Sequence, residues 1–288
     1  MDRRTFLQAG LTLPAAAALT DSRQARSDEP ATAATGAAQR PLRQSVCAWC
    51  FPGMSLPALC ELAKRLGIGS VELLGEDQWR VPAEHGLTCA VANGPGGITE
   101  GWNRPEHHDR LVARSEELIP RIAAAGIPQM IVFSGNRTGM SDADGLAHCA
   151  DGLRRIMPLA ERAGVTVIME LLNSKVDHRD YMCDRTAWGV ELCKRVGSDR
   201  FRLLYDIYHM QVMEGDVIRT IEESHPWIAH YHTAGNPGRS NLDDTQELNY
   251  GAICRAIRRT GFDGWVAQEF MPRGDAAAAL EAAVRACG

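Results

Sequence analysis

Residues 201–211 read FRLLYDIYHMQ. The run FRLLY is short and mostly apolar, as a strand covered on both faces should be, and Asp206 stands at its C-terminal end. Three other runs repeat the arrangement. VTVIMELLN (165–173) carries Glu170, IAHYHTAG (228–235) carries His232, and GWVAQEF (264–270) carries Glu269. The four residues are separated by 36, 26 and 37 positions, each about right for one strand-helix unit.

Working outward, eight strand candidates alternate with helical patterns from residue 42 onward. They are 44–48, 69–74, 87–92, 129–134, 165–171, 201–206, 228–233 and 264–269. LPALCELAKRLG, LVARSEELIPRIAAAG, DGLAHCADGLRRIMPLAERAG and AWGVELCKRVG lie between them, and each closes on a glycine suited to a helix C-terminus. The unit before the third strand is too short for a full helix. Eight strand-helix repeats close most simply as a single-domain (β/α)8 TIM barrel. A doubly wound open sheet is the other solution, but it would carry a glycine-rich phosphate loop after the first strand, and CAWCFPGMS is not one.

The chain has 288 residues, 45% hydrophobic and 23% charged, which is ordinary for a soluble globular protein. Residues 42–288 have the usual size of one barrel, about 250 residues. Net charge is −5, which argues against a nucleic-acid partner. Nine cysteines fall at no framework spacing. Cys47 and Cys50 form a C-x-x-C, but a zinc or redox site needs a second pair or a thioredoxin-like setting. Small buried apolar residues are the simpler reading.

The first 20 residues, MDRRTFLQAGLTLPAAAALT, place Arg3 and Arg4 before a short, alanine-rich apolar stretch. This reads as a twin-arginine signal peptide, assigned to 1–26, with a linker at 27–41. The expectation is an exported, periplasmic protein. The apolar stretch is too short for stable membrane insertion.

In such barrels the C-terminal strand ends build the active site. Three carboxylates in one mouth repel one another unless a cation sits among them. Glu170, Asp206, His232 and Glu269 are therefore expected to ligate one divalent ion, Mg²⁺ or Mn²⁺ by their oxygen-rich set, with Co²⁺ or Zn²⁺ also admitted. His209, a loop histidine three residues after Asp206, and Arg239, in NPGR after strand seven, are candidate substrate-binding residues. Asn93, Asn173 and Lys175 are weaker candidates. Trp49 and Trp102 either wall the pocket or pack in the shell.

The runs MELLNSKVDH, LLYDIYHMQVMEGDVIRTI, AHYHTAGNPGR, QELNY and GFDGWVAQEF, with GWNRPEHHD and IVFSGNRTGM, resemble the hydroxypyruvate isomerase family over residues 42–273. D-x-Y-H-M-Q and H-x-x-G-x-P-G-R are specific in combination. The resemblance implies a xylose-isomerase-like barrel with Glu170, Asp206, His232 and Glu269 as metal ligands. It also implies Glu170 and Glu269 as the catalytic acid/base pair, and His209 and Arg239 as substrate contacts. The implied activity is isomerisation of a small α-hydroxy carbonyl compound, hydroxypyruvate first, by proton transfer through an enediolate; a homo-oligomer, dimer or tetramer, is implied too. Hydroxypyruvate isomerases carry glutamine where this chain has His232, a feature of ketose 3-epimerases, so epimerisation is the alternative. An exported, non-catalytic sugar-binding barrel is the alternative of another class. The related apurinic endonucleases draw extra histidines from strands two and three; LLGEDQW and ANGPGG supply none.

Overall fold

The computed structural model describes residues 40–288. The expected signal peptide lies outside the described residues, as does the expected linker apart from residues 40 and 41. All eight expected strands form. They are β1 (Arg43–Cys47), β2 (Ser70–Glu72), β3 (Val91–Asn93), β4 (Gln129–Val132), β5 (Thr166–Leu171), β6 (Phe201–Asp206), β7 (Ile228–Thr233) and β8 (Trp265–Gln268). The order β2-β1-β8-β7-β6-β5-β4-β3 is parallel throughout. The barrel closes between β2 and β3 through the bonds Val71 N to Thr88 O and Leu73 N to Val91 O, each 3.0 Å.

Strand three is shorter than the expected 87–92 and starts later. Thr88 makes only an isolated bridge to Ser70, and the Ala90 amide donates to the Ser70 hydroxyl (2.9 Å) where a ladder bond would need a carbonyl. The unit before β3 holds only a 3-10 turn, Glu76–Gln78, and the one-turn helix Val81–Glu84. The long helical pattern at 144–164 divides into Asp142–Arg154 and Met157–Ala163. Pro158 has no N–H to continue the first helix, but is tolerated in the opening turn of a second. Gly164 and Gly197 end their helices in the left-handed conformation, with φ of 73° and 72°.

Helix Pro105–Ala124 buries Leu111, Val112, Ser115, Leu118, Ile119 and Ile122, the three-four spacing of one face. It and its counterparts pack on the outside of the sheet to form the main core. A second apolar cluster, Ala90, Val91, Ile131, Ile168 and Leu204, fills the lumen. Side chains two apart on a strand share a face. Ile168 therefore underlies Glu170, Leu204 underlies Asp206, and His230 underlies His232. Asp206 pairs directly with His232, while Glu170 pairs with Leu204. This offset is the stagger of a tilted barrel, which brings residues of unequal register to one level. All nine cysteines are buried free thiols, Cys47 and Cys50 among them. Among the described residues no helix is long and apolar enough to cross a membrane.

Candidate active site

The strand ends bring Glu170, Asp206, His232 and Glu269 together. One ligand atom from each lies within 4.8 Å of the others, and all four side chains are buried. His232 Nδ1 is 3.0 Å from Glu269 Oε2 and 3.4 Å from Glu170 Oε1. Arg239 bonds Glu269 Oε2 and approaches Asp206 Oδ2 to 3.8 Å. Its backbone is left-handed, with φ of 50°, and its carbonyl accepts from Met271 N (2.7 Å). The loop after β7 is thus tied to the loop after β8.

Charge is unevenly shared in this cluster. Burial acts to lift Glu269, but the positive charges of His232 and Arg239 outweigh it and hold the carboxyl well below the usual range. Burial lifts Asp206, and the negative charge of Glu269 lifts it further. Burial also raises Glu170. His232 is raised despite burial, chiefly by Glu269. The two resident cations therefore serve Glu269 and leave the other two acids short of positive charge. Glu170 Oε1 and Asp206 Oδ2 are buried with no hydrogen-bond partner. Orphaned acid oxygens beside an imidazole nitrogen are a donor set that fits one divalent cation.

His209 is not a loop residue. Asp206 Oδ1 accepts from the His209 amide (3.0 Å) and so caps a helix, Ile207–Met213, that places His209 in its first turn. Asn173 donates through Nδ2 to His209 Nδ1 (2.6 Å) and to Asp177 Oδ2 (2.6 Å). Nδ1 must then be an acceptor, so Nε2 carries the hydrogen. Nε2 has no hydrogen-bond partner and stands 3.7 Å from Asp206 Oδ2. Burial pushes the ring well below its ordinary pKa, so it is neutral. It is a fixed donor at the edge of the cluster.

A cavity of about 560 Å³ opens above these groups. Its lining combines Trp49, Asn93, His178, Glu170, Glu269 and Arg239 with the apolar Leu73, Ile98, Ile131, Phe133 and Leu172. Trp49 is a wall residue: its Nε1 donates to Glu269 Oε1 (3.0 Å) and its ring stacks on the Arg239 guanidinium at 5.0 Å. Trp102 is not; it is fully buried in the shell. Lys175 is also absent from the cavity, because its Nζ bonds the carbonyls of Val212 and Met213.

Two residues under the site had not been singled out in the sequence. Glu72, at the end of β2, places Oε1 2.9 Å from His230 Nε2 and 3.1 Å from His232 Nε2. Burial acts to raise Glu72, yet the charge and hydrogen bond of His230 prevail and hold it at about 2. The signal was available: an acid inside the apolar run SVELL must find a partner when buried.

A model of the xylose isomerase-like TIM barrel family matches residues 60–287. A putative hydroxypyruvate isomerase from Homo sapiens is 26% identical, covering 82% of this chain and 91% of the human protein. A 2-oxo-tetronate isomerase from Cupriavidus necator is 36% identical over 42% of this chain and 46% of its own. Among solved structures, an AP endonuclease of family 2 from Brucella melitensis superposes with a TM-score of 0.76 at 24% identity. It covers 83% of this chain and 97% of that one, and at this identity it speaks for the fold alone. The chain is hydroxypyruvate isomerase-like in sequence, and with the family's model spanning most of its length it belongs to the xylose isomerase-like TIM barrels.

Proposed function

We propose that this protein is a divalent-metal-dependent isomerase of small α-hydroxy carbonyl compounds, with conversion of hydroxypyruvate to tartronate semialdehyde as the first candidate reaction. The observation that carries the reading is the meeting of Glu170, on β5, and Glu269, just after β8, around His232 and Asp206. The names of the relatives agree with it. Glu170, Asp206, His232 and Glu269 would hold the ion. When bound, it supplies Lewis-acid polarisation of the carbonyl and acidifies the neighbouring C–H.

The rest is work for the side chains. One glutamate takes the proton from the hydroxyl-bearing carbon and becomes neutral; the other, entering protonated, gives its own proton to the adjacent carbon, and the hydroxyl proton passes to the former carbonyl oxygen. Arg239, which lines the cavity, and His209 Nε2–H, buried behind it, would hold substrate oxygens. Trp49 and the apolar wall exclude water from the reacting carbons.

A second reading, epimerisation of an uncharged ketose, is favoured by one specific feature. Among the described residues Arg239 is the only Arg or Lys lining the cavity, and it already serves Glu269. A substrate carboxylate would have to compete for it, whereas a neutral sugar could rest its C–H face on Leu73, Ile98 and Phe133. A panel of α-hydroxy keto acids and ketoses incubated in D₂O with Mg²⁺ or Mn²⁺ tests both. Solvent deuterium appearing at the neighbouring carbon of a keto acid supports isomerisation. Deuterium appearing only at an inverted carbinol supports epimerisation. No exchange with any substrate overturns both and leaves a binding protein.

A further inference from the structure

We infer that Glu72 and His230 form a positioning pair that sets the tautomer and orientation of His232, so that its Nδ1 faces the ion. The inference rests on the metal reading of Glu170, Asp206, His232 and Glu269.

Glu72 belongs to β2, three strands around the barrel from β7. It reaches across the lumen into a layer otherwise filled by Ile131, Ile168 and Leu204. Glu72, His230 and His232 are all fully buried. An acid there is costly unless it is hydrogen-bonded. His230 Nε2 meets that need for Oε1 at 2.9 Å, while Oε2 has no hydrogen-bond partner. Oε1 nevertheless also lies 3.1 Å from His232 Nε2.

A carboxylate oxygen accepts, so both nitrogens facing it carry hydrogens. With Nε2 donating to Glu72, the nitrogen of His232 that gives up its hydrogen to act as a ligand is Nδ1. That is the atom 3.0 Å from Glu269 Oε2 and 3.4 Å from Glu170 Oε1. A ligating histidine whose other nitrogen donates to a carboxylate is held in one tautomer and made more basic. His230 adds a mechanical constraint. Its ring meets that of His232 edge-on, with centroids 5.2 Å apart and planes at 84°. Flipping the His232 ring would put Cε1 in place of Nε2 opposite Glu72 and lose that hydrogen bond.

The test uses Mn²⁺ titrated into the full chain, with free ion read by EPR and folding followed by circular dichroism. Wild type should bind one Mn²⁺, and Glu72→Gln should remain folded and bind it about 10- to 100-fold more weakly. In parallel, ¹⁵N NMR of the imidazoles in the Mg²⁺-loaded wild type should show His232 protonated at Nε2. This measurement needs no variant, so it decides the matter if Glu72→Gln fails to fold. Equal Mn²⁺ affinity in Glu72→Gln, or an Nδ1–H tautomer at His232, overturns the positioning role while leaving the metal site standing. Two Mn²⁺ per wild-type chain with one lost in Glu72→Gln also overturns it, because the pair would then be ligands themselves. A wild type that binds no Mn²⁺ removes the metal reading, and this inference with it.

Discussion

Asn173 and His209 are joined by a 2.6 Å contact in which the amide donates to Nδ1 of a neutral imidazole. Asn173 Oδ1 meanwhile accepts from the amides of Val176 and Asp177, at 3.0 and 2.9 Å. The turn after β5 therefore fixes which His209 nitrogen presents a hydrogen to the site. Asn173→Asp should reverse the tautomer, because a carboxylate there accepts from Nδ1–H. Loss of one donor to substrate is worth about 1–1.5 kcal/mol, or roughly tenfold in kcat/KM. Steady-state kinetics at constant metal saturation checks this, and unchanged kcat/KM would remove His209 from substrate binding.

Glu269→Gln keeps the side chain's shape but removes the charge that Arg239 and His232 surround. Turnover should fall by about 10²–10⁴ if this carboxylate handles the proton. Rates measured at saturating Mn²⁺ separate that loss from weakened metal binding. Near-normal turnover there would exclude Glu269 as acid or base.

One tightly held divalent ion per chain is expected from the orphaned oxygens of Glu170 and Asp206. Chelation should abolish activity, and Mg²⁺ or Mn²⁺ should restore it. Ion at about 100 times its Kd should stabilise the fold by about 2.7 kcal/mol. Elemental analysis and thermal melts with and without ion read both effects; a melt indifferent to every divalent ion contradicts the site.

Trp49 is 44% exposed, so its replacement should spare the fold, changing stability by no more than about 0.5 kcal/mol. Trp49→Phe retains a ring over Arg239 and loses the hydrogen bond to Glu269. Trp49→Ala loses both. The alanine variant should therefore raise KM more than the phenylalanine variant does. Equal KM values in the two would mean that the stacked ring contributes nothing.

Glu72 ties acid stability to the same cluster. Its carboxyl is held at about 2 against an ordinary 4.5, so its contribution is complete above pH 4.5 and is lost as pH falls toward 2. Urea midpoints of metal-free wild type should decline over that window more steeply than those of Glu72→Gln. Parallel curves would show that Glu72 titrates normally.

The barrel and its four convergent side chains were legible because both signals are local. A buried parallel strand is a continuous apolar run, and a polar residue closing such a run sits at the mouth. Asp206, Glu170, His232 and Glu269 needed nothing more. His209 was legible as a neighbour of Asp206, but its helix was missed: DIYHMQ carries a capping aspartate whose candidate role as a ligand masked it. Glu72 was passed over although strand two was recognised, because its partners lie 158 and 160 residues away.

From the order of residues alone came the repeating strand-helix pattern and the acids and imidazole placed at the strand ends, since alternation along a strand and the polarity of each position are properties of neighbouring residues. Only the closed barrel decided that Glu72 crosses the lumen to His232, that Asn173 settles the His209 tautomer, and that Arg239 is held by Glu269. Those relations join side chains on different strands and loops. Their distances depend on strand tilt, register offset and loop path, which exist only once the sheet has closed on itself.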